Sequence, residues 1–187
     1  MNPIIIDNFS RRKEFIQMLA ERGAKYGAEI GTDHGQYAQQ LCKGIPGLKL
    51  YCIDPWTPYT EGDEVHDEAN VEEIYQQAKS RLAPYNCQII RDTSMNAVKN
   101  CADNSFDFVF VDGNHEYKYV KEDITEWYKK VKPGGIIAGH DYKEDPTRSY
   151  GVIQAVKEFT QENHISPWFV FKGGGRLVPC WMIIKQP

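Results

Sequence analysis

Phe106-Asp-Phe-Val-Phe-Val-Asp112-Gly-Asn-His115 is the stretch whose reading decides the fold. Five of its first six residues are aromatic or β-branched, the composition of a strand covered on both faces, as in an α/β sheet. The run then stops at Asp112-Gly113-Asn114-His115. In open α/β sheets, polar groups directly after the carboxyl end of a parallel strand lie where ligands bind. Taken alone, Asp112-Gly113 also suits an ordinary turn. Three other strand ends tip the reading towards a site.

Downstream, Tyr117, Val120, Ile124, Trp127 and Val131 step by three and four, which predicts a helix, with Pro133-Gly134-Gly135 as its stop. Residues 136–141 read as a strand finishing in His140-Asp141, and 150–161 as a helix. Residues 168–171 and 180–184 are two further strands joined by a glycine-rich loop, hence an antiparallel hairpin. Upstream, a helix over 8–22 is closed by Gly23, and residues 26–31 form a strand. A helix over 35–44 and a strand over 48–54 follow. Residues 55–67 are acidic, aromatic and turn-rich, and lead into a helix whose shared face holds Val71, Ile74, Tyr75, Ala78 and Leu82. A strand over 87–92 and a short helix over 95–101 complete the series. Five βα units and a terminal hairpin imply a mostly parallel seven-stranded α/β sheet with helices on both faces. We expect a single domain over 1–187, with residues 55–82 as an insertion or lid over the site.

The chain has 187 residues, of which 41% are hydrophobic, enough for one well-buried domain. Its net charge of −4 and scattered lysines and arginines argue against nucleic acid as the main partner. The five cysteines are odd in number and contain no C-x-x-C pair, so neither a disulfide framework nor a zinc knuckle is indicated. Reduced thiols in a cytoplasmic protein are the expectation. The Ile4-Ile5-Ile6 start lacks a basic n-region and a long apolar run, so it is not read as a signal peptide. No segment approaches the roughly 20 apolar residues of a membrane span. A small-molecule substrate is the expected partner, and homo-oligomerisation is left open.

The strand ends can now be taken together: Glu29-Ile-Gly31-Thr-Asp-His-Gly35, Asp54, Asp92, Asp112 to His115, and His140-Asp141. All should fall on one edge of the sheet. Gly31 and Gly35 allow a tight turn and close approach of a ligand to the backbone. Asp54 ends the next strand about twenty residues on, where an acid can accept hydrogen bonds from both hydroxyls of a ribose. The pairing suggests an adenosine-containing ligand. The spacing is G-x-x-x-G rather than G-x-G-x-x-G, which speaks against a dinucleotide.

With those residues in view, the chain resembles the class I S-adenosylmethionine-dependent methyltransferases. The resemblance is to a small bacterial type with V-D-G-x-H-x-Y-x-x-V-x-x-D and P-G-G-x-x-x-x-H-D-Y segments. Here these are residues 111–123 and 133–142. The resemblance runs from Glu29 to the terminal hairpin and implies a Rossmann-like class I methyltransferase fold with S-adenosylmethionine as cofactor. It also implies roles: Glu29 and Gly31, with Gly35, for the methionine end, and Asp54 for the ribose. Trp56 would lie near the adenine, Asp92 with Thr93 would receive the adenine amino group, and Asp112 would stand beside the transferring methyl. The chain departs from the usual first motif in carrying Asp33-His34 where a glycine is common.

Related sugar and small-molecule O-methyltransferases bind a divalent ion through carboxylates matching Asp112 and Asp141, magnesium being favoured by oxygen ligands. The competing expectation is a metal-free site with a histidine, His115 or His140, as general base. A metal-dependent hydrolase built on Asp112, His115, His140 and Asp141, and a non-catalytic adenosylmethionine-binding module, are the other functional readings. Asp123 is expected to be structural. His66 with Asp63, Glu64, Asp67 and Glu68 reads as a solvated acidic lid, His34 as a residue that could reach the ligand, and His164 as surface.

Overall fold

The apolar runs become strands of one sheet. The structure, a computed structural model, describes residues 2–7, 11–61, 64–144, 150–172 and 178–186, with backbone alone at 11, 12, 59–61 and 64–66. In chain order the elements are β1 (Ile4–Asp7), α1 (Arg11–Glu21), β2 (Tyr26–Ile30), α2 (Gln36–Gly44), β3 (Lys49–Asp54), β4 (Tyr59–Glu61), β5 (Glu64–His66), α3 (Glu68–Leu82) and β6 (Cys87–Arg91). There follow α4 (Ser94–Ala97) with a 3-10 turn at Val98–Asn100, β7 (Phe106–Val111), α5 (Tyr117–Lys130), β8 (Val131–Gly139), α6 (Val152–Glu162), β9 (Phe169–Lys172) and β10 (Cys180–Ile184). The main sheet has the order β1-β9-β10-β8-β7-β2-β3-β6, and β4 and β5 form a separate hairpin. The β6-β3-β2-β7-β8 run is parallel throughout, and β10 is antiparallel to both its neighbours.

Two differences from the sequence reading have physical causes. The sheet has eight strands rather than seven, because Ile4–Asp7 pairs in parallel with Phe169–Lys172 at the edge. A four-residue strand with its partner at the far end of the chain leaves no local signature. Moreover, β8 starts at Val131, directly from α5. Phe106 pairs with Val131 and Phe108 with Ile136, so the Pro133-Gly134-Gly135 segment bulges out of the ladder. The bulge is tied to the other side of the strand, where Gly134 N–H donates to the Lys185 carbonyl at 2.7 Å.

Strand alternation sorts the core into two layers. Ala28, Ile30, Val109, Val111 and Ile137 face α5 and α6, meeting Val120, Ile124, Trp127 and Val156. Leu50, Cys52, Phe108, Phe110 and Ala138 face the other way onto Phe15 and Leu19 of α1 and Tyr37 and Leu41 of α2. Helix α3 contributes Val71, Ile74, Ala78 and Leu82 as buried residues, so it is part of the packed fold. The preceding loop and the β4–β5 hairpin are an addition to the simple βα series.

The acid Asp123 of α5 lies inside this core. Asp123 is 5% exposed and accepts a hydrogen bond from the Ser94 hydroxyl, which in turn accepts from Trp127 Nε1 at 2.7 Å. Burial pushes its carboxyl up to about 6 against the Ser94 contact. The folded state therefore holds this proton more tightly than the unfolded chain, and the group costs stability as pH rises from about 4 through about 6. Asn can still accept from Ser94 and carries no charge. Asp123→Asn should raise stability by about 2 kcal/mol at pH 8 and leave it unchanged near pH 4. Urea unfolding at the two pH values measures the difference.

Candidate active site

Strand β2 sits where the chain's path through the sheet reverses, with β3 and β6 to one side and β7 and β8 to the other. Ligands of open α/β sheets lie at the carboxyl ends of the strands flanking such a switch. The loops that meet there are 31–35 and 112–115. Gly31 has φ +85°, and a Cβ at this position would stand 2.1 Å from the Asp112 carbonyl oxygen. The two loops approach so closely that only glycine fits. Gly31 N–H donates to the Ile53 carbonyl and Asp112 N–H to the Ile30 carbonyl, at 2.9 and 2.7 Å, which locks three strand ends together. Gly35, with φ +70°, opens α2.

Asp54 organises the adjacent corner. Its Oδ2 accepts from Asp33 N–H at 2.9 Å and its Oδ1 from Trp56 N–H at 2.8 Å. Asp33 and Trp56 both hold left-handed backbone, with φ of 49° and 42°. Burial raises the Asp54 carboxyl, and the backbone donors of Asp33, Trp56 and Thr32 work against that. A carboxylate offers about four acceptor directions, so the acid can hold its loops and still accept from a ligand hydroxyl. The Trp56 side chain turns inward: it is 4% exposed, packs on Ile74 and Ala78, and donates Nε1–H to the Asp33 carbonyl. Trp56 therefore braces the loop from beneath rather than presenting its ring as an open platform.

Across the switch, β7 and β8 deliver a cluster of acids and imidazoles. His115 Nε2 lies 3.1 Å from Asp141 Oδ2 and 3.7 Å from Asp112 Oδ1. His140 Nδ1 lies 2.7 Å from Asp141 Oδ2 and 3.6 Å from Asp112 Oδ1. Asp141 is left-handed at φ 53°. Among the described residues, three of the five non-glycine positive-φ positions (Asp33, Trp56 and Asp141) are thus at these strand ends, where stored backbone strain commonly accompanies function. Burial disfavours charge on His115, but Asp112 and Asp141 outweigh it and hold the imidazole up to about 9. The same imidazoles overcome burial at Asp141 and keep its carboxyl well below the usual range. Asp112, His115 and Asp141 offer ligand atoms all within 4.8 Å of one another. Two carboxylates and one imidazole suit a divalent ion of the magnesium or manganese type. The sequence expectation named Asp112 and Asp141 as ligands, with His115 and His140 able to shift the preference towards manganese or zinc; His115 is the imidazole whose ligand atom falls within the same 4.8 Å group.

The remaining candidates divide. Asp92 Oδ1 accepts from Thr93 N–H at 2.7 Å and Asn96 Nδ2 at 3.0 Å, and the Thr93 hydroxyl caps α4. These donors, Asn96 first, lower the Asp92 carboxyl. Glu29 is 2% exposed within β2, on the face covered by α2. His34 turns to α3, its Nδ1 2.9 Å from Gln77 Oε1, and His164 is exposed. Asp63 and the side chains of Glu64 and His66 lie outside the described residues. Two residues were missed. The Thr32 hydroxyl, in a residue 3% exposed between the loops, has no hydrogen-bond partner among the described residues. Its place inside the Gly31-x-x-x-Gly35 loop was a signal that went unused. Tyr150 stacks on His115 with ring centroids 4.8 Å apart, which no local pattern announces.

The fold and the site together define a class I methyltransferase architecture. A family described as a methyltransferase domain matches residues 28–142, which include the switch loops and the acid–imidazole cluster. The chain belongs to that family. It is 30% identical over 132 residues to an uncharacterized protein of Sinorhizobium fredii, and 34% identical over 148 residues to one of Acanthamoeba polyphaga mimivirus. The matches cover 67% and 77% of this chain but only 14% and 63% of those relatives. Among solved structures it resembles the O-methyltransferase of Bacillus cereus in complex with S-adenosylhomocysteine, with TM-score 0.67 and 18% identity over 95% of this chain and 82% of that one. The O-methyltransferase TomG of Streptomyces achromogenes, in complex with S-adenosylmethionine, gives 0.66 and 17%, over 94% and 79%. The N-methyltransferase NodS of Bradyrhizobium japonicum gives 0.63 and 14%, over 94% of both chains.

Proposed function

We propose that the chain transfers the methyl group of S-adenosylmethionine to a hydroxyl of a small molecule or sugar, with a divalent ion held by Asp112, His115 and Asp141. The observation that supports this best is the meeting of Asp112, His115, His140 and Asp141 across the switch loop from Asp54. When bound, the cofactor supplies an electrophilic sulfonium methyl, and the ion supplies Lewis acidity that lowers the pKa of an acceptor hydroxyl. The chain's own residues do the rest. Asp54 takes the ribose hydroxyls with its remaining lone pairs, while the loop it anchors gives the cofactor a fixed bed. His115, charged at neutral pH in the metal-free protein, cannot accept a proton there. His140 is the better placed imidazole: donation of Nδ1–H to Asp141 turns Nε2 out as the acceptor nitrogen, the tautomer being inferred from this contact.

A family match to methyltransferases speaks against the hydrolase reading. Incubation with methyl-labelled cofactor and parallel panels of catechols, sugars and amines tests the acceptor class. Label should enter the oxygen nucleophiles, and His140→Ala should slow transfer about 100-fold or more. Label entering only amines would overturn hydroxyl methylation.

The metal assignment carries a pH signature. A bound ion requires neutral His115, so its binding must displace the proton that Asp112 and Asp141 hold there. Manganese affinity should rise about tenfold per pH unit between pH 6.5 and 8.5 and be lost in Asp141→Asn. Paramagnetic resonance of free manganese reads both. In metal-free protein the sign is opposite: the raised imidazole contributes stability that is full below about pH 6.5 and lost as pH rises through about 9.

A further inference from the structure

A pair of thiols lies at the end of the sheet opposite the site. Cys42 is near the C-terminus of α2 and Cys87 is the first residue of β6, yet their Sγ atoms are 3.4 Å apart. The register explains the meeting. Cys87 pairs with Leu50, and Cys52 lies two residues on from Leu50 in β3, so Cys52 and Cys87 face the same side, the one covered by α2. Cys52 is fully buried, whereas Cys42 and Cys87 are partly exposed and open to a small oxidant. Either sulfur can donate in the Cys42–Cys87 contact; the neighbouring thiols lower the Cys87 thiol, and contact with Cys87 and burial raise Cys42. A disulfide would bring the sulfurs from 3.4 Å to about 2.05 Å.

We propose that Cys42 and Cys87 are a reversible modification site, forming a disulfide on exposure to hydroperoxides and clamping α2 onto β6. The Cys87 thiolate attacks one peroxide oxygen, the O–O bond breaks, and the sulfur becomes a sulfenic acid as hydroxide leaves and is protonated to water. The Cys42 sulfur then attacks the sulfenic sulfur, the S–S bond forms, and the second oxygen leaves as water. One peroxide is reduced by two electrons and two thiols are oxidised; an external dithiol returns both by exchange. The clamp joins the amino end of β6 to α2, away from the strand ends that carry Asp54 and Asp112, so it is independent of the methyl-transfer reading.

The folded protein, treated with one equivalent of hydrogen peroxide, alkylated and digested without reduction, should give a Cys42–Cys87 linked peptide that dithiothreitol abolishes. Cys180 should be recovered alkylated, and the thermal midpoint should rise by roughly 8–15 °C, as expected for closing a loop of this length. In Cys42→Ser the sulfenic acid should persist on Cys87 and be trapped by dimedone. If that variant does not fold, the wild-type map decides alone. Recovery of both thiols as alkylated cysteine, a Cys52–Cys87 link, or a link between chains would each overturn the assignment.

Discussion

Asp54→Ala should lower the affinity for S-adenosylhomocysteine by at least about a hundredfold. The substitution removes hydrogen bonds that a carboxylate would make to the ribose, each worth about 1.5–3 kcal/mol for a charged acceptor. It also releases Asp33 N–H and Trp56 N–H, and with them two residues held in left-handed backbone. Asp54→Asn separates the two contributions. The amide keeps one acceptor oxygen and turns an N–H towards the other backbone donor, so its loss of affinity should fall between wild type and alanine. Calorimetric titration gives the affinities, and circular dichroism establishes that each variant is folded. Wild-type affinity in a folded Asp54→Ala variant would remove the acid from the cofactor site.

Gly31→Ala should be the most destabilising single substitution in the switch. Alanine at φ +85° costs about 1 kcal/mol or more in backbone strain. The larger cost is steric, since the new Cβ would stand 2.1 Å from the Asp112 carbonyl and 2.7 Å from the Gly113 Cα, both backbone atoms of the facing loop. Separating the loops breaks the Asp112 N–H bond to Ile30 and displaces the acid from the cluster. A loss of about 3–5 kcal/mol is expected, corresponding to a fall in thermal midpoint of roughly 10 °C for a chain of this size. The surviving folded fraction should bind manganese weakly. Unfolding curves on Gly31→Ala beside Gly134→Ala make the comparison, because Gly134 is also at positive φ but has nothing within 4 Å of its Cβ position. Equal losses in the two would attribute the effect to φ alone.

Much of this arrangement was legible because its signals are local. The Phe106 to Val111 run, the unbroken helical step of α5, and an acid or histidine at four strand ends placed the site on one edge before any pairing was known. What escaped depends on partners distant in sequence. Ile4–Asp7 is a strand only because Phe169–Lys172 supplies its hydrogen bonds. The bulge before Ile136 exists because Phe106 and Phe108 take partners five residues apart in β8. The inward turn of Trp56 reflects the apolar face of α3, and an aromatic in an acidic loop carries no mark of which way it packs. His115 was recognised as chemistry-bearing, but its place beside both carboxylates required β7 and β8 to lie together in register.

Calorimetric titration of the wild-type chain with S-adenosylhomocysteine, with and without magnesium, tests the central claim most directly. Saturable binding at one site per chain is the predicted result in both conditions, since Asp54 is held by the backbone donors of Asp33 and Trp56 rather than by the acid–imidazole cluster. Absence of binding in both, with the protein shown to be folded, would contradict the assignment of these strand ends to S-adenosylmethionine.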